Sequence, residues 1–103
     1  MPLLDDELRS KLPLLHAQEG EIELWAYARF FLAGTRQAWY VMEGEAEGDD
    51  FLFFGFLSVP GEFGYFRLSE LQALRGLFSE QQVERDLTFR EGKLTDVVPA
   101  PDS

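Results

Sequence analysis

One stretch of nine residues, Phe51 to Val59, limits the possible folds of this chain more than any other part of the sequence. It reads Phe-Leu-Phe-Phe-Gly-Phe-Leu-Ser-Val, so both the odd and the even positions of an extended strand would carry apolar side chains. The run is too short to span a bilayer and ends at the turn signal Pro60-Gly61. A buried helix is the competing interpretation, but Gly55 and the aromatic enrichment favour a buried central strand covered on two sides.

Two helices are predicted to provide part of that cover. Residues 4–12 carry leucines at i, i+4 spacing behind Asp5, a favourable N-cap, and Pro13 ends the segment. A second helix is predicted to begin after Ser69, which forms a capping-box pattern with Gln72. Its apolar stripe would consist of Leu71, Leu74 and Leu77 or Phe78.

The remaining segments predict antiparallel strands. Residues 21–32 alternate between an apolar face and a mixed face, and a hairpin at Gly34 leads to a second strand over residues 38–43. After the Phe-rich strand, residues 64–68 predict a fourth strand that runs into the second helix, and residues 86–90 predict a short last strand.

These elements add up to an α+β fold. We expect an antiparallel sheet of four to five short strands, with an N-terminal helix and a second helix after strand four. Residues 1–103 are expected to form a single globular domain, in which 92–103 is a frayed tail.

An acidic segment between two predicted strands is the first candidate interaction site. Residues 43–50 are expected to form an exposed loop, because burying an unpaired carboxylate there would cost several kcal/mol. The candidate contact residues are Glu43, Glu45, Glu47, Asp49 and Asp50, with Glu21 and Glu23 on the same side of the molecule. The segment lacks the acid spacing of an EF-hand, so a solvated loop and an acidic docking patch are the two interpretations.

Two aromatic residues on the mixed face of the first strand are the second candidate. Trp25 and Tyr27 would form an exposed patch beside Glu21 and Glu23 if no helix covers that face, and such a patch indicates an interface. The alternative is that they only pack across the hairpin.

Composition excludes several classes of function. Nineteen acidic against nine basic residues give a net charge of −10, which argues against direct nucleic-acid binding. There is no cysteine and one histidine, His16, and no nucleophile elbow, phosphate loop or dinucleotide motif is present. We therefore expect no enzyme activity, no metal and no cofactor. The acidic N-terminus and the lack of a bilayer-length apolar run predict a cytoplasmic protein without membrane contact.

Several short motifs occur together in one order along the chain. They are Leu4-Asp-Asp-Glu-Leu8, Lys11-Leu-Pro13, Trp39-Tyr-Val with Glu43-Gly44, Phe53-Phe-Gly-Phe56, Glu62 with Gly64-Tyr-Phe, Leu68-Ser-Glu-Leu71 and Val83-Glu-Arg-Asp-Leu87 with Phe89. Over roughly residues 3–90 this series resembles the bacterial domain of unknown function 2958 family. The resemblance implies a small protein of plasmids, integrative elements and phages, often encoded among genes for anti-restriction and element maintenance. It implies no catalytic residues.

The expected function is therefore binding to another macromolecule. The first hypothesis is a non-enzymatic, acidic accessory protein of mobile elements that binds a basic protein. In its most specific form, the target is a nucleic-acid-handling host protein, and this protein acts as an anti-defence inhibitor or a DNA mimic. One alternative is a small-ligand-sensing or regulatory module with an aromatic pocket. Another is a self-associating structural component, and the expected oligomeric state is a monomer or a weak homodimer.

Overall fold

The structure, a computed structural model, describes residues 2–99 and has an α+β fold, as predicted. In chain order its elements are α1 (Asp6–Lys11), β1 (Trp25–Ala26), β2 (Ala28–Leu32), β3 (Ala38–Glu47), β4 (Asp50–Leu57), β5 (Glu62–Arg67), α2 (Leu68–Ala73), β6 (Val83–Arg85), β7 (Gly92–Lys93) and α3 (Leu94–Val97). The predicted N-terminal helix is α1, and the predicted helix after strand four is α2, which follows β5 directly.

Five strands form one antiparallel sheet in the order β5-β4-β3-β2-β6, and β1 and β7 pair separately. The Phe-rich segment is β4, an interior strand, but the middle strand is β3, which is ten residues long and buried from Ala38 to Gly44. The sequence therefore located a buried strand correctly and misplaced the centre of the sheet by one strand.

The two faces of the sheet are covered unequally. On the face that α1 and α2 cover, Phe53 is fully buried and its ring lies 5.6 Å from that of Phe30 and 5.5 Å from that of Phe66. Leu8 of α1 and Leu71 of α2 belong to the same core. We call this the helix-covered face, and the opposite one the groove face.

The C-terminal elements cover part of the groove face. The backbone of β7 pairs with β1, and Leu94 of α3 is buried in a cluster with Ala26, Tyr40 and Met42. The expectation of a frayed tail over 92–103 is therefore wrong for residues 92–99; residues 100–103 lie outside the described part of the chain. Sequence reasoning missed this because β7 contributes only two residues and gains its stability from a partner far away in the chain.

A β-bulge in β3 changes which side chains face the groove. Val41 lies opposite Gly55 and Glu43 lies opposite Phe54, so Met42 is the extra residue. Simple alternation would place Glu43 on the helix-covered face with Val41, whereas the bulge turns it to the groove face beside Met42. The strands approach so closely here that a Cβ atom at Gly55 would lie 1.9 Å from the Tyr40 carbonyl oxygen, and only glycine fits.

The two main helices agree with the sequence to different extents. The Asp5 side chain accepts a hydrogen bond from the Leu8 backbone N–H at 2.8 Å, which confirms the predicted N-cap of α1. The second helix begins two residues earlier than predicted, at Leu68, and ends at Ala73, so its N-cap position is Arg67 and the predicted cap Ser69 lies inside the helix. Leu77 is 88% exposed, so the predicted apolar stripe does not extend to it.

The first and last predicted strands have different bounds in the structure. Only residues 25–26 and 28–32 of the predicted 21–32 strand are extended, and Ile22 is fully exposed rather than on an apolar face. The last strand of the sheet is β6 rather than residues 86–90, and Leu87 is 66% exposed.

Candidate binding groove

A groove with a volume of about 560 Å³ lies on the groove face, between the sheet and the connection that precedes β1. One wall is apolar and consists of Leu24, Met42, Phe54, Phe63 and Tyr65. The other wall is polar and includes His16, Gln18, Glu19, Glu21 and Glu43. We call residues 14–21 the groove loop, because they supply most of the polar wall.

Cross-strand pairing creates the aromatic part of the apolar wall. Phe54 lies opposite Tyr65 and Phe56 lies opposite Phe63 in the β4–β5 register, which brings these side chains onto one face. The rings of Phe54 and Tyr65 are 4.9 Å apart, and those of Phe54 and Phe63 stack at 6.0 Å. Phe63 and Tyr65 remain 46% and 52% exposed, so the wall is open to a ligand.

A buried carboxylate fixes the polar wall. Glu43 is only 3% exposed, and its two oxygens accept hydrogen bonds from the backbone N–H groups of His16 and Gln18, each at 2.7 Å. Backbone donors to a carboxylate make strong, charge-assisted hydrogen bonds, which offset the cost of burial without a basic side chain. Glu43 therefore anchors the groove loop at the base of the groove.

Gln18 and Glu45 hold the groove loop in place as well. The Gln18 amide nitrogen donates to the carbonyl oxygens of Trp25 and Met42 at 3.0 Å, and its side-chain oxygen accepts from the Trp25 N–H at 2.6 Å. The Glu45 carboxylate accepts from the Leu15 N–H at 3.2 Å. The groove is thus pre-formed by side chains that reach backbone groups of three separate segments.

The rim of the groove is negative. Glu19 and Glu21 are exposed, and Glu19 makes a 3.0 Å contact with the Nδ1 atom of His16. Among the described residues that line the groove, none is Lys or Arg. An elongated side chain with an apolar stem and a cationic end would match both walls, because the stem could lie on the aromatic rings and the charge beside the carboxylates.

The acids predicted as one contact loop do not form a loop. Residues 43–47 belong to β3, and the exposed connection is only the tight turn around Gly48 and Asp49. Glu47 forms an ion pair with Arg67 at 2.6 Å, and Asp50 accepts hydrogen bonds from the N–H and the hydroxyl of Ser69. The expectation of a loop over residues 43–50 is wrong because residues 43–47 and Asp50 pair with each other's strands in the β3–β4 hairpin, although Glu47 and Asp49 remain exposed.

Of the other predicted contact acids, Glu21 lies on the rim of the groove and Glu23 does not line it. Glu23 forms an exposed ion pair with Lys93 at 3.1 Å. The structure thus brings together Glu21 and Glu43 at the groove, and it separates them from Glu47, Asp49 and Asp50.

The two residues of the predicted aromatic patch, Trp25 and Tyr27, do not form one exposed surface. Trp25 is 37% exposed, and its indole N–H donates to Glu91 at 3.3 Å, away from the groove. Tyr27 is half-buried and packs against the core of the helix-covered face. The exposed aromatic residues at the groove are instead Phe63 and Tyr65. The sequence predicted Tyr65 only as part of the strand over residues 64–68, and Phe63 lies just before that predicted strand.

The described part of the chain offers no alternative centre for metal chemistry. No group of three or more His, Cys, Asp or Glu side chains within residues 2–99 is arranged to hold a metal ion. No helix in this range is long and apolar enough to cross a membrane.

A family profile described as "Protein of unknown function (DUF2958)" matches residues 3–98. The chain belongs to this family. The match runs from before α1 to the end of α3, so the groove of this DUF2958 protein lies wholly inside the family region. The ordered motifs noted in the sequence therefore identified the family correctly. Searches of curated proteins and of solved structures found no match.

Proposed function

We propose that this DUF2958 protein is a non-enzymatic binding protein that holds a basic segment of a partner protein in its groove. The observation that supports this most is the pairing of an exposed aromatic wall with a carboxylate wall in a groove fixed by the hydrogen bonds of the buried Glu43 side chain. Aromatic anchors in a pre-formed cavity are typical of the energetic centre of an interface.

The net charge of −10 supports a basic partner in particular. A negative field attracts a cationic surface over several ångströms, which raises the rate of association and makes it sensitive to salt. The contact site in this proposal is the groove with Glu19 and Glu21, and it replaces the acidic loop as the centre of binding.

The biological setting of the proposal comes from the family. The resemblance to the DUF2958 family implies a protein of mobile genetic elements, and we propose that this protein acts in the cytoplasm. There it would occlude a basic, nucleic-acid-handling host protein, as an anti-defence inhibitor or a mimic of DNA. The charge of the groove is compatible with such a target, because nucleic-acid-binding surfaces are rich in Lys and Arg.

Affinity purification from a host lysate at low salt, with quantitative mass spectrometry, tests the proposal. Phe63 and Tyr65 would both be changed to Ala, and the matched control would change Leu77 and Leu87, which are exposed elsewhere, to Ala. We expect a basic protein to bind the native chain and the control, to be lost from the groove variant, and to dissociate as salt is raised. Equal capture by the groove variant and the control would show that the groove is not the contact site.

A second candidate function is supported by the volume of the groove. At about 560 Å³ it falls within the usual range of small-molecule sites, so a cationic metabolite could occupy it without a protein partner. A thermal-shift screen distinguishes the two, because a small ligand raises the melting temperature by mass action in the absence of any partner.

A further inference from the structure

One edge of the main sheet is open beside the groove. β5 is the last strand in the order β5-β4-β3-β2-β6, and within residues 2–99 it pairs only with β4. It is six residues long, which is enough to accept an added strand. Its side chains Phe63 and Tyr65 are the ones that form the exposed wall of the groove.

The register shows which backbone groups of β5 are free. The Arg67 N–H donates to the Glu70 side chain at 2.8 Å, so it points away from β4. Because the direction of backbone groups alternates along a strand, the N–H and C=O groups of Phe63 and Tyr65 also point away from β4, while those of Gly64 point toward it. The residues that face the groove thus also present the open hydrogen-bonding edge.

This edge has little of the protection that proteins use against strand pairing. Between Glu62 and Arg67 the strand has no charge, no proline and no bulge in its pairing with β4. Arg67 itself is held in the ion pair with Glu47. An unprotected edge next to an apolar wall is the arrangement used for binding by strand addition.

We propose that an extended, basic segment of the partner adds to β5 as a sixth strand, and that every second side chain of that segment, a Lys or an Arg, enters the groove. This inference rests on the proposed function and specifies how the partner binds. Charge complementarity favours such a segment over a second copy of this chain, because each copy carries a net charge of −10. Main-chain hydrogen bonds would supply affinity, and the carboxylates beside the aromatic wall would select the cationic side chains.

A synthetic peptide tests this inference without knowledge of the natural partner. The probe is a peptide of alternating lysine and valine with blocked ends, about nine residues long so that it can pair with the whole of β5. The control peptide has glutamate in place of lysine. Affinity is measured by calorimetry at low salt, and amide hydrogen exchange is followed with and without the probe.

Two variants of one residue separate the side chain from the backbone. Tyr65→Ala removes part of the aromatic wall and keeps the N–H group, whereas Tyr65→Pro also removes the N–H group that points away from β4. Proline is tolerated at such an edge position, and the preceding Gly64 has no Cβ to clash with its ring. Circular dichroism and the protected amide of Gly64 report whether each variant remains folded.

We expect the lysine peptide to bind, the glutamate peptide not to bind, and the amides of Phe63 and Tyr65 to gain protection. Tyr65→Ala should weaken binding, and Tyr65→Pro should weaken it about threefold to tenfold further, as expected for one lost backbone hydrogen bond.

Other results would overturn the inference in recognisable ways. One such result is that Tyr65→Ala and Tyr65→Pro bind the lysine peptide equally, both more weakly than the native chain, and that the peptide gives the amides of Phe63 and Tyr65 no new protection. That result would keep the groove as the binding site and exclude strand addition. No binding of the lysine peptide, or no loss with Tyr65→Ala, would contradict the proposed function as well. A peptide-free dimer in analytical ultracentrifugation that Tyr65→Pro dissociates would assign the edge to a second copy of the chain.

Discussion

Glu43 is buried, although the acidic residues that follow it in the sequence predict an exposed loop. It begins a run of acids, yet it is buried and binds two backbone N–H groups of the groove loop. A buried carboxylate with only backbone donors is stable because each donor would itself be costly to leave unpaired. The side chain thus links the shape of the groove to its negative charge.

The first prediction concerns this side chain. Glu43→Ala should lower the free energy of unfolding by about 2 kcal/mol, because it leaves the partly buried backbone donors of His16 and Gln18 without their acceptor. Glu43→Gln keeps one acceptor oxygen and should have an intermediate effect. Urea denaturation measures the stability, and amide exchange at His16 and Gln18 measures the loosening of the groove loop.

Glu84→Ala is the matched control, since Glu84 is exposed on β6, and it should change stability by less than about 0.5 kcal/mol. Unchanged exchange of the His16 and Gln18 amides in Glu43→Ala would contradict the role assigned to Glu43.

At the scale of elements, short helices and strands depend on contacts with distant parts of the chain. The helix α1 has only six residues, too few to be stable alone. One carboxylate oxygen of its N-cap, Asp5, lies 3.1 Å from the Nη1 atom of Arg85 on β6. This ion pair connects the helix to the edge of the sheet opposite β5. Asp86, the residue after β6, pairs with Arg29 of β2 at 3.1 Å and ties the same edge strand to its neighbour.

The second prediction is a pH dependence that arises at this cap. The hydrogen bond from the Leu8 N–H, and after it the interaction with Arg85, lower the pKa of Asp5 below its ordinary value of 3.8, although burial opposes the shift. A lowered pKa in the folded state means that this stabilisation is fully present above pH 3.8 and is lost as pH falls through the lowered pKa.

Asp5→Asn isolates this effect, because asparagine caps a helix about as well as aspartate but carries no charge. In urea denaturation the native chain should be more stable than Asp5→Asn at neutral pH, and the difference should vanish in strong acid. Asp5→Ala should lose about 1 kcal/mol more through the missing cap. A difference between native and Asp5→Asn that stays constant with pH would exclude the charge as its source.

At the scale of the whole molecule, Lys and Arg side chains form ion pairs outside the groove. Five pairs between carboxylates and Lys or Arg occur among the described residues, and they connect segments distant in sequence. Surface pairs of this kind contribute little to stability. They do decide where positive charge lies, and none of these five bases lines the groove. The negative charge of the groove is therefore a property of the tertiary arrangement as well as of composition.

The third prediction concerns the cover that the C-terminal elements give to the groove face. A chain ending at Glu91 lacks β7 and α3, so Tyr40 and Met42 lose the buried contact with Leu94. Its free energy of unfolding should be lower than that of a chain ending at Pro99 by at least about 2 kcal/mol. Urea denaturation of the two chains, with binding of a hydrophobic dye as a second measure, makes the comparison. Equal stability would mean that these elements do not support the core.

The sequence by itself determined the α+β class, the family, the N-terminal helix with its Asp5 cap, the hairpin at Gly34 and the buried Phe-rich strand. The family rests on a series of motifs spread over most of the chain, and the helix, the hairpin and the strand each depend on patterns within about ten residues, such as capping, turn chemistry and alternation. Only the tertiary structure decided that the bulge at Met42 turns Glu43 to the groove face, that α3 covers the sheet, and that Phe63 and Tyr65 meet the groove loop. Those outcomes depend on which strands are neighbours and on the register in which they pair. Such contacts join residues far apart in the chain, and they therefore produce no periodic pattern that could be recognised in the sequence.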